Sequence, residues 1–213
     1  MNRPSSGRKT PEVYLVPARR HRVEDVIRGS RFVTTLGRAP DPESARAFVH
    51  GVEDEFVDAT HNCWAYVAGP PGSTARVGMS DAGEPHGTAG RPMLETLLHS
   101  PVGEVAAVVT RYYGGTKLGR GGLGRAYSGG VKLALESLPT QRRILRRRVR
   151  IEVAYAAVDR LHQYLDEVEA VREDEDYGAR VQIVAGVPES RLAELERMVA
   201  EVTSGAGSVS VLD

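Results

Sequence analysis

Residues Glu104 to Tyr113 are nearly continuous in apolar residues up to Arg111. A short apolar run of this kind reads as a strand buried on both faces. A glycine-rich segment follows at once: Gly114-Gly115-Thr116-Lys117-Leu118-Gly119-Arg120-Gly121-Gly122-Leu123-Gly124-Arg125. It runs into a helix that ends near Leu138-Pro139, with Leu123, Tyr127, Val131 and Leu135 read as its apolar face. Strand, glycine loop and helix start together make an anion site, because glycine lets successive amides point one way. Arg111, Lys117, Arg120 and Arg125 add positive charge, Gly114 and Gly115 open the backbone, and Tyr112 and Tyr113 offer rings on which bases stack. The competing reading is close packing of backbone against backbone, with the arginines solvated.

Two nucleotide motifs are excluded. Gly119 to Gly124 spells G-x-G-x-x-G, but the strand ends near Tyr113, and an arginine cluster stands where a dinucleotide fold needs a second strand ending in an acid. Gly115-Thr116-Lys117 lacks the residue order of a phosphate-binding P-loop.

Upstream, Tyr14–Val16 and Arg31–Leu36 read as strands. Asp41-Pro42-Glu43-Ser44 is a helix start: an N-cap, proline in the first turn, then an acid. That helix runs to about Phe56 on a face of Ala45, Phe48, Val49 and Val52. His61–Ala68 and Arg76–Ser80 read as a hairpin around Pro70–Ser73, and Thr88–His99 as a helix. Between them, Ser80 to Pro92 holds Asp81, Glu84, His86, Thr88 and Arg91, with His61 and Asn62 on the strand before. Asp81, Glu84, His86 and His61 carry donor atoms for a metal or for acid–base work. No spacing matches a metal motif, and the alternative is a turn whose acids bond loop amides and cap the next helix. Cys63 lies in an apolar run, where a buried inert thiol is expected.

After six arginines between Arg142 and Arg150 the pattern changes. Strand, helix, two strands, helix and strand follow from Val149 to Leu212, the βαββαβ order of a ferredoxin-like domain. The division expected is a disordered polar tail at 1–10, a first domain at 11–140 and a second at 141–213, α+β in class. The formal charge of zero conceals an asymmetry. Residues 1–150 hold 23 Lys+Arg against 14 Asp+Glu, net +9, and residues 151–213 hold 5 against 14, net −9. A basic half attracts phosphate, and an acidic half is better matched to a protein partner. The arginine cluster is either a nucleic-acid patch or a solvated linker running into a strand edge. One cysteine excludes an internal disulfide and fits a reducing compartment. Met1–Pro17 has no apolar core of a signal peptide, and no run is long enough to span a membrane, so a cytoplasmic protein is expected.

Three stretches together carry a resemblance: Asp58–Tyr66, Ser80–Pro92 and Val108–Gly119. The run Arg111-Tyr112-Tyr113-Gly114-Gly115-Thr116-Lys117-Leu118-Gly119 is similar to the signature of the IMPACT family in its bacterial YigZ-like form. The resemblance implies a first domain like a ribosomal-protein domain and translocase domain IV, and a ferredoxin-like second domain. Eukaryotic members regulate translation initiation through a further N-terminal domain, so what the resemblance implies here is a role near the ribosome or RNA. The sequence departs from the family pattern at Ala82, where a second acid is usual, and at His86, where serine is usual. The function expected is a non-enzymatic factor that binds RNA or the ribosome and regulates translation, with no cofactor, no metal, no catalytic residue and no membrane contact. The alternative is a hydrolase or phosphate-ligand enzyme using Asp81, Glu84 and His86.

Overall fold

The computed structural model describes residues 11–212; the tail expected at 1–10 lies outside them. The chain divides into two compact units, residues 1–143 and 144–213. Among the described residues no helix is long and apolar enough to cross a membrane.

The first unit is built on a five-stranded antiparallel sheet in the order β2-β3-β6-β4-β5. Its strands are β2 (His21–Ile27), β3 (Ser30–Arg38), β4 (His61–Val67), β5 (Val77–Ser80) and β6 (Val105–Tyr112). The apolar run of β6 is the central strand, covered on both faces, as its composition requires. Alternation along β6 sends Val105, Ala107 and Val109 to one side, where α2 (Gly90–Leu98) and α3 (Arg120–Glu136) pack through Met93, Leu97, Leu123, Tyr127 and Val131. Ala106 and Val108 face the other side and meet α1 (Pro42–Glu55) and its surroundings through Ala45, Val49 and Val52.

Helix α1 starts as read: Asp41 accepts from the Ser44 amide at 2.8 Å, and Pro42 occupies the first turn. On α3 the inward face differs from the spacing of four. Leu135 is half-buried, while Ala126, Gly130 and Ala134 turn inward. Four residues exceed one turn by about 40°, so a strict four-residue stripe winds off the core. Strand β2 is an exposed edge strand that apolar pattern does not reveal. It joins β3 through Arg28-Gly29, both at positive φ (48° and 82°), the conformation of a two-residue hairpin turn.

A two-stranded sheet pairs β1 (Val13–Pro17) with β7 (Thr140–Ile144). Beneath it sits the buried Glu104, which accepts from Tyr14 Oη at 2.7 Å, Arg38 Nη2 at 2.9 Å and Arg143 Nε at 3.3 Å.

The second unit is a four-stranded antiparallel sheet in the order β11-β8-β10-β9: β8 (Arg146–Val153), β9 (Val171–Tyr177), β10 (Val181–Pro188) and β11 (Ser208–Val211). Val149, Ile151, Val153, Val181 and Ile183 form one core with α4 (Val158–Glu167) and α5 (Leu192–Val202), through Leu161, Leu165, Leu195 and Val199. The arginine cluster spans the division between the two units, and its residues lie in strands. Arg142 and Arg143 lie on β7, one strand of a two-stranded sheet, and Arg146, Arg147, Arg148 and Arg150 lie on β8, which β10 flanks along its length and β11 from Val149 onward. Several are engaged within their own unit: Arg146 with the Glu169 carbonyl, Arg147 with Glu189, Arg148 with Glu173. With four arginines in the second unit, its charge is 9 Lys+Arg against 14 Asp+Glu, net −5, and that of the first is 19 against 14, net +5.

Candidate functional site

Strand register assembles the site at the end of the central sheet. His61 of β4 stands opposite Arg111 of β6, and Phe32 of β3 stands opposite Arg111 on its other side. All three lie on the face covered by α2 and α3. Arg111 is 5% exposed, and its guanidinium lies 5.5 Å from the ring centres of both Phe32 and Tyr113. Its Nη1 donates to Glu84 Oε1 at 2.5 Å, and Tyr127 Oη donates to the same oxygen at 2.8 Å. Among the described residues the buried Nε of Arg111 has no hydrogen-bond partner.

Above this pair opens a cavity of about 510 Å³, lined by His61, Glu84, Pro85, Arg111, Tyr113, Lys117, Leu118, Gly119, Arg120 and Leu123. Lys117 is exposed and has no ion-pair or hydrogen-bond partner among the described residues. Arg120 donates to the His86 carbonyl at 2.9 Å. Helix α3 begins here at Arg120, preceded by Gly119 at φ 73°, with no side chain capping its first amides. An uncapped helix start carries positive potential and free N–H groups. His61 Nδ1 lies 2.9 Å from the Ala82 carbonyl, which can only accept, so that nitrogen donates and the neutral ring keeps Nε2 as an acceptor.

The other candidates separate from this cluster. Tyr112 alternates to the α1 face, where Arg31 lies 5.2 Å over its ring and Asp58 accepts from its hydroxyl at 2.9 Å. Asn62 is on that face too, between the Phe56 carbonyl and Thr110 Oγ1. Gly114 serves packing: a Cβ there would meet the Gly29 carbonyl oxygen at 1.9 Å. Gly115 takes φ 86°, and its carbonyl accepts from Tyr113 Oη at 2.7 Å. Arg125 lines a larger groove of about 820 Å³ between α2 and α3, which holds no other cationic candidate from the glycine segment. Arg91 lines a third cavity with Asp81, His86 and Arg120.

The 81–88 loop is organised by Asp81. Its Oδ1 accepts from Ala89 and Gly90 at 3.0 and 2.9 Å, and its Oδ2 from Gly87 at 2.7 Å. Burial would raise this carboxyl, but those amides outweigh it and hold it below the usual carboxylate range. Asp81 thus caps α2 from outside the helix, as the turn reading holds, whereas Glu84 turns inward to Arg111. His86 is fully exposed, 3.7 Å from Asp81 Oδ2. Thr88 is buried and donates to the Pro85 carbonyl at 2.6 Å. Among the described residues no three His, Cys, Asp or Glu side chains are grouped to hold a metal. Cys63 is buried, donates to the Asp81 carbonyl, and burial pushes its thiol up to about 12. Residues that sequence reading missed are Tyr127, Phe32 and Ser30, whose Oγ accepts from Arg111 Nη2 at 3.4 Å; a tyrosine on an apolar helix face and a strand serine give no sign that they border a buried arginine.

The Impact N-terminal domain matches residues 28–135, the part of the chain that holds the whole cavity, and a domain of unknown function, DUF1949, matches residues 151–206. The chain belongs to the IMPACT family. It is 41% identical to the IMPACT family member YigZ of Escherichia coli, over 92% of this chain and 96% of that one. It is 34% identical to the family member YvyE of Bacillus subtilis, over 87% and 85%. A crystal structure of a hypothetical protein, 39% identical and covering 95% of this chain and 98% of that one, superposes with a TM-score of 0.71, in keeping with an α+β fold.

Proposed function

We propose that this member of the family is a non-enzymatic factor that binds RNA, free or within the ribosome, through the cavity at the end of β6, and so regulates translation. The observation that carries the reading is the convergence of Lys117, Arg120 and the uncapped start of α3 around a buried arginine. Phosphate oxygens match such a set of donors. The resemblance to a family whose eukaryotic members regulate translation initiation supports the cellular role. The second unit is read as ferredoxin-like, supported by its βαββαβ sequence and its β11-β8-β10-β9 order. Its net charge of −5 suits a protein partner better than a phosphate. The first unit is read as like a ribosomal-protein domain and translocase domain IV.

The test is co-sedimentation with ribosomes and RNA across a salt series, with wild type beside the double variant Lys117→Ala/Arg120→Ala. Losing two phosphate contacts should flatten the slope of log affinity against log salt by about 1.4 for a single strand. An unchanged slope removes these residues from the reading, and no binding at any salt removes the reading itself.

A further inference from the structure

The cavity is larger and more varied in its lining than phosphate binding needs. We propose that it holds one unstacked nucleotide, with the base inside it against Tyr113 and Leu118 and the phosphate outside at Lys117 and Arg120; this rests on the RNA-binding reading above.

Phosphate offers acceptors only. One group at this cavity asks for a donor, which phosphate lacks. His61 Nε2 is an acceptor in the neutral ring, while Arg111 Nε is closed off from solvent within the wall. A base edge carries donors as well as acceptors, so a base satisfies His61 Nε2 where a phosphate cannot. The remaining wall is apolar: Pro85, Leu118, Leu123 and the Tyr113 ring. Tyr113 is held for stacking. Its hydroxyl is tied to the Gly115 carbonyl, Arg111 lies over its ring, and 47% of the residue is still exposed. A volume of about 510 Å³ is that of a pocket for a compact ligand. The two contributions separate physically: phosphate contacts weaken with salt, and base stacking is sequence-tolerant and adds affinity at every salt concentration.

The experiment compares two probes on the full chain: an oligouridylate of roughly ten nucleotides, a length a single-strand site accommodates, and an abasic ribose-phosphate oligomer of equal length and charge. Wild type should bind the base-bearing oligomer about tenfold more tightly across the salt series. Tyr113→Ala should abolish that preference and leave the salt slope unchanged; His61→Ala should reduce it. Equal binding of both probes by wild type, or an equal loss for both in Tyr113→Ala, overturns the proposal. In that case a slope that still flattens in Lys117→Ala/Arg120→Ala leaves RNA binding standing. No binding of either probe at low salt overturns both.

Discussion

Arg111 and Glu84, twenty-seven residues apart in sequence, form an ion pair of 2.5 Å in which both side chains are buried. The pair joins the central strand to the loop ahead of α2, so the cavity wall and the core share an element. Breaking one partner leaves the other charge buried. Glu84→Ala should therefore destabilise the first unit by about 3–5 kcal/mol. Trp64, the sole tryptophan, belongs to that unit, so urea unfolding followed by its fluorescence reads this loss selectively. A change below about 1 kcal/mol would mean the pair is solvated like a surface bridge.

Asp81 holds three amides of the loop and of the start of α2. Asp81→Ala should cost at least about 2 kcal/mol, more than an ordinary helix cap, because hydrogen bonds to a charged acceptor are the stronger kind. Amide exchange at Gly87, Ala89 and Gly90 should rise first. Asp81→Asn, which keeps an acceptor oxygen, should restore part of the loss.

Alkali should weaken the first unit before the second. Burial pushes the Cys63 thiol and the Tyr14 hydroxyl up to about 12, and the buried Tyr127 hydroxyl upward as well. The folded state then keeps protons that the unfolded chain releases above about pH 8.5 for thiol and about 10 for tyrosine. Stability is full below those values and falls as pH climbs toward 12. Cys63→Ala should flatten the lower part of that limb in urea titrations between about pH 8.5 and 10. In native protein at pH near 8 a thiol reagent should leave Cys63 unlabelled until urea is added.

Glu104 responds to acid. Burial would raise its carboxyl, but hydrogen bonds from Tyr14 and Arg38 and the charges of Arg38 and Arg143 outweigh burial and hold it below the usual carboxylate range. Its contribution is present above the unfolded glutamate value of about 4.3 and is lost as pH falls through the lowered folded value. Glu104→Gln should be less stable than wild type at neutral pH, with the gap closing in acid. A gap that stays constant down to about pH 3 would assign the loss to packing rather than charge.

The residues themselves determined most of the fold. The apolar run of β6 set a central strand, Asp41-Pro42 set the start of α1, and the period changes after Val149 set the order of strands and helices in the second unit. These are local signals, carried by neighbours in the chain. Strand β2 escaped because an exposed edge needs no apolar stripe, and the arginines Arg146 to Arg148 hid the first residues of β8, which was read only from Val149. The residues also marked the segment where the site lies, since glycine and positive charge coincide there. Only the tertiary structure decided which side chains share it. Alternation on one strand parts Tyr112 from Arg111, and register brings His61 and Phe32 beside Arg111 from strands far away in sequence. Burial turned Glu84 from a candidate acid into the partner of a cation. Each of these depends on which surfaces exclude water together, a property of the packed chain that no short stretch of it contains.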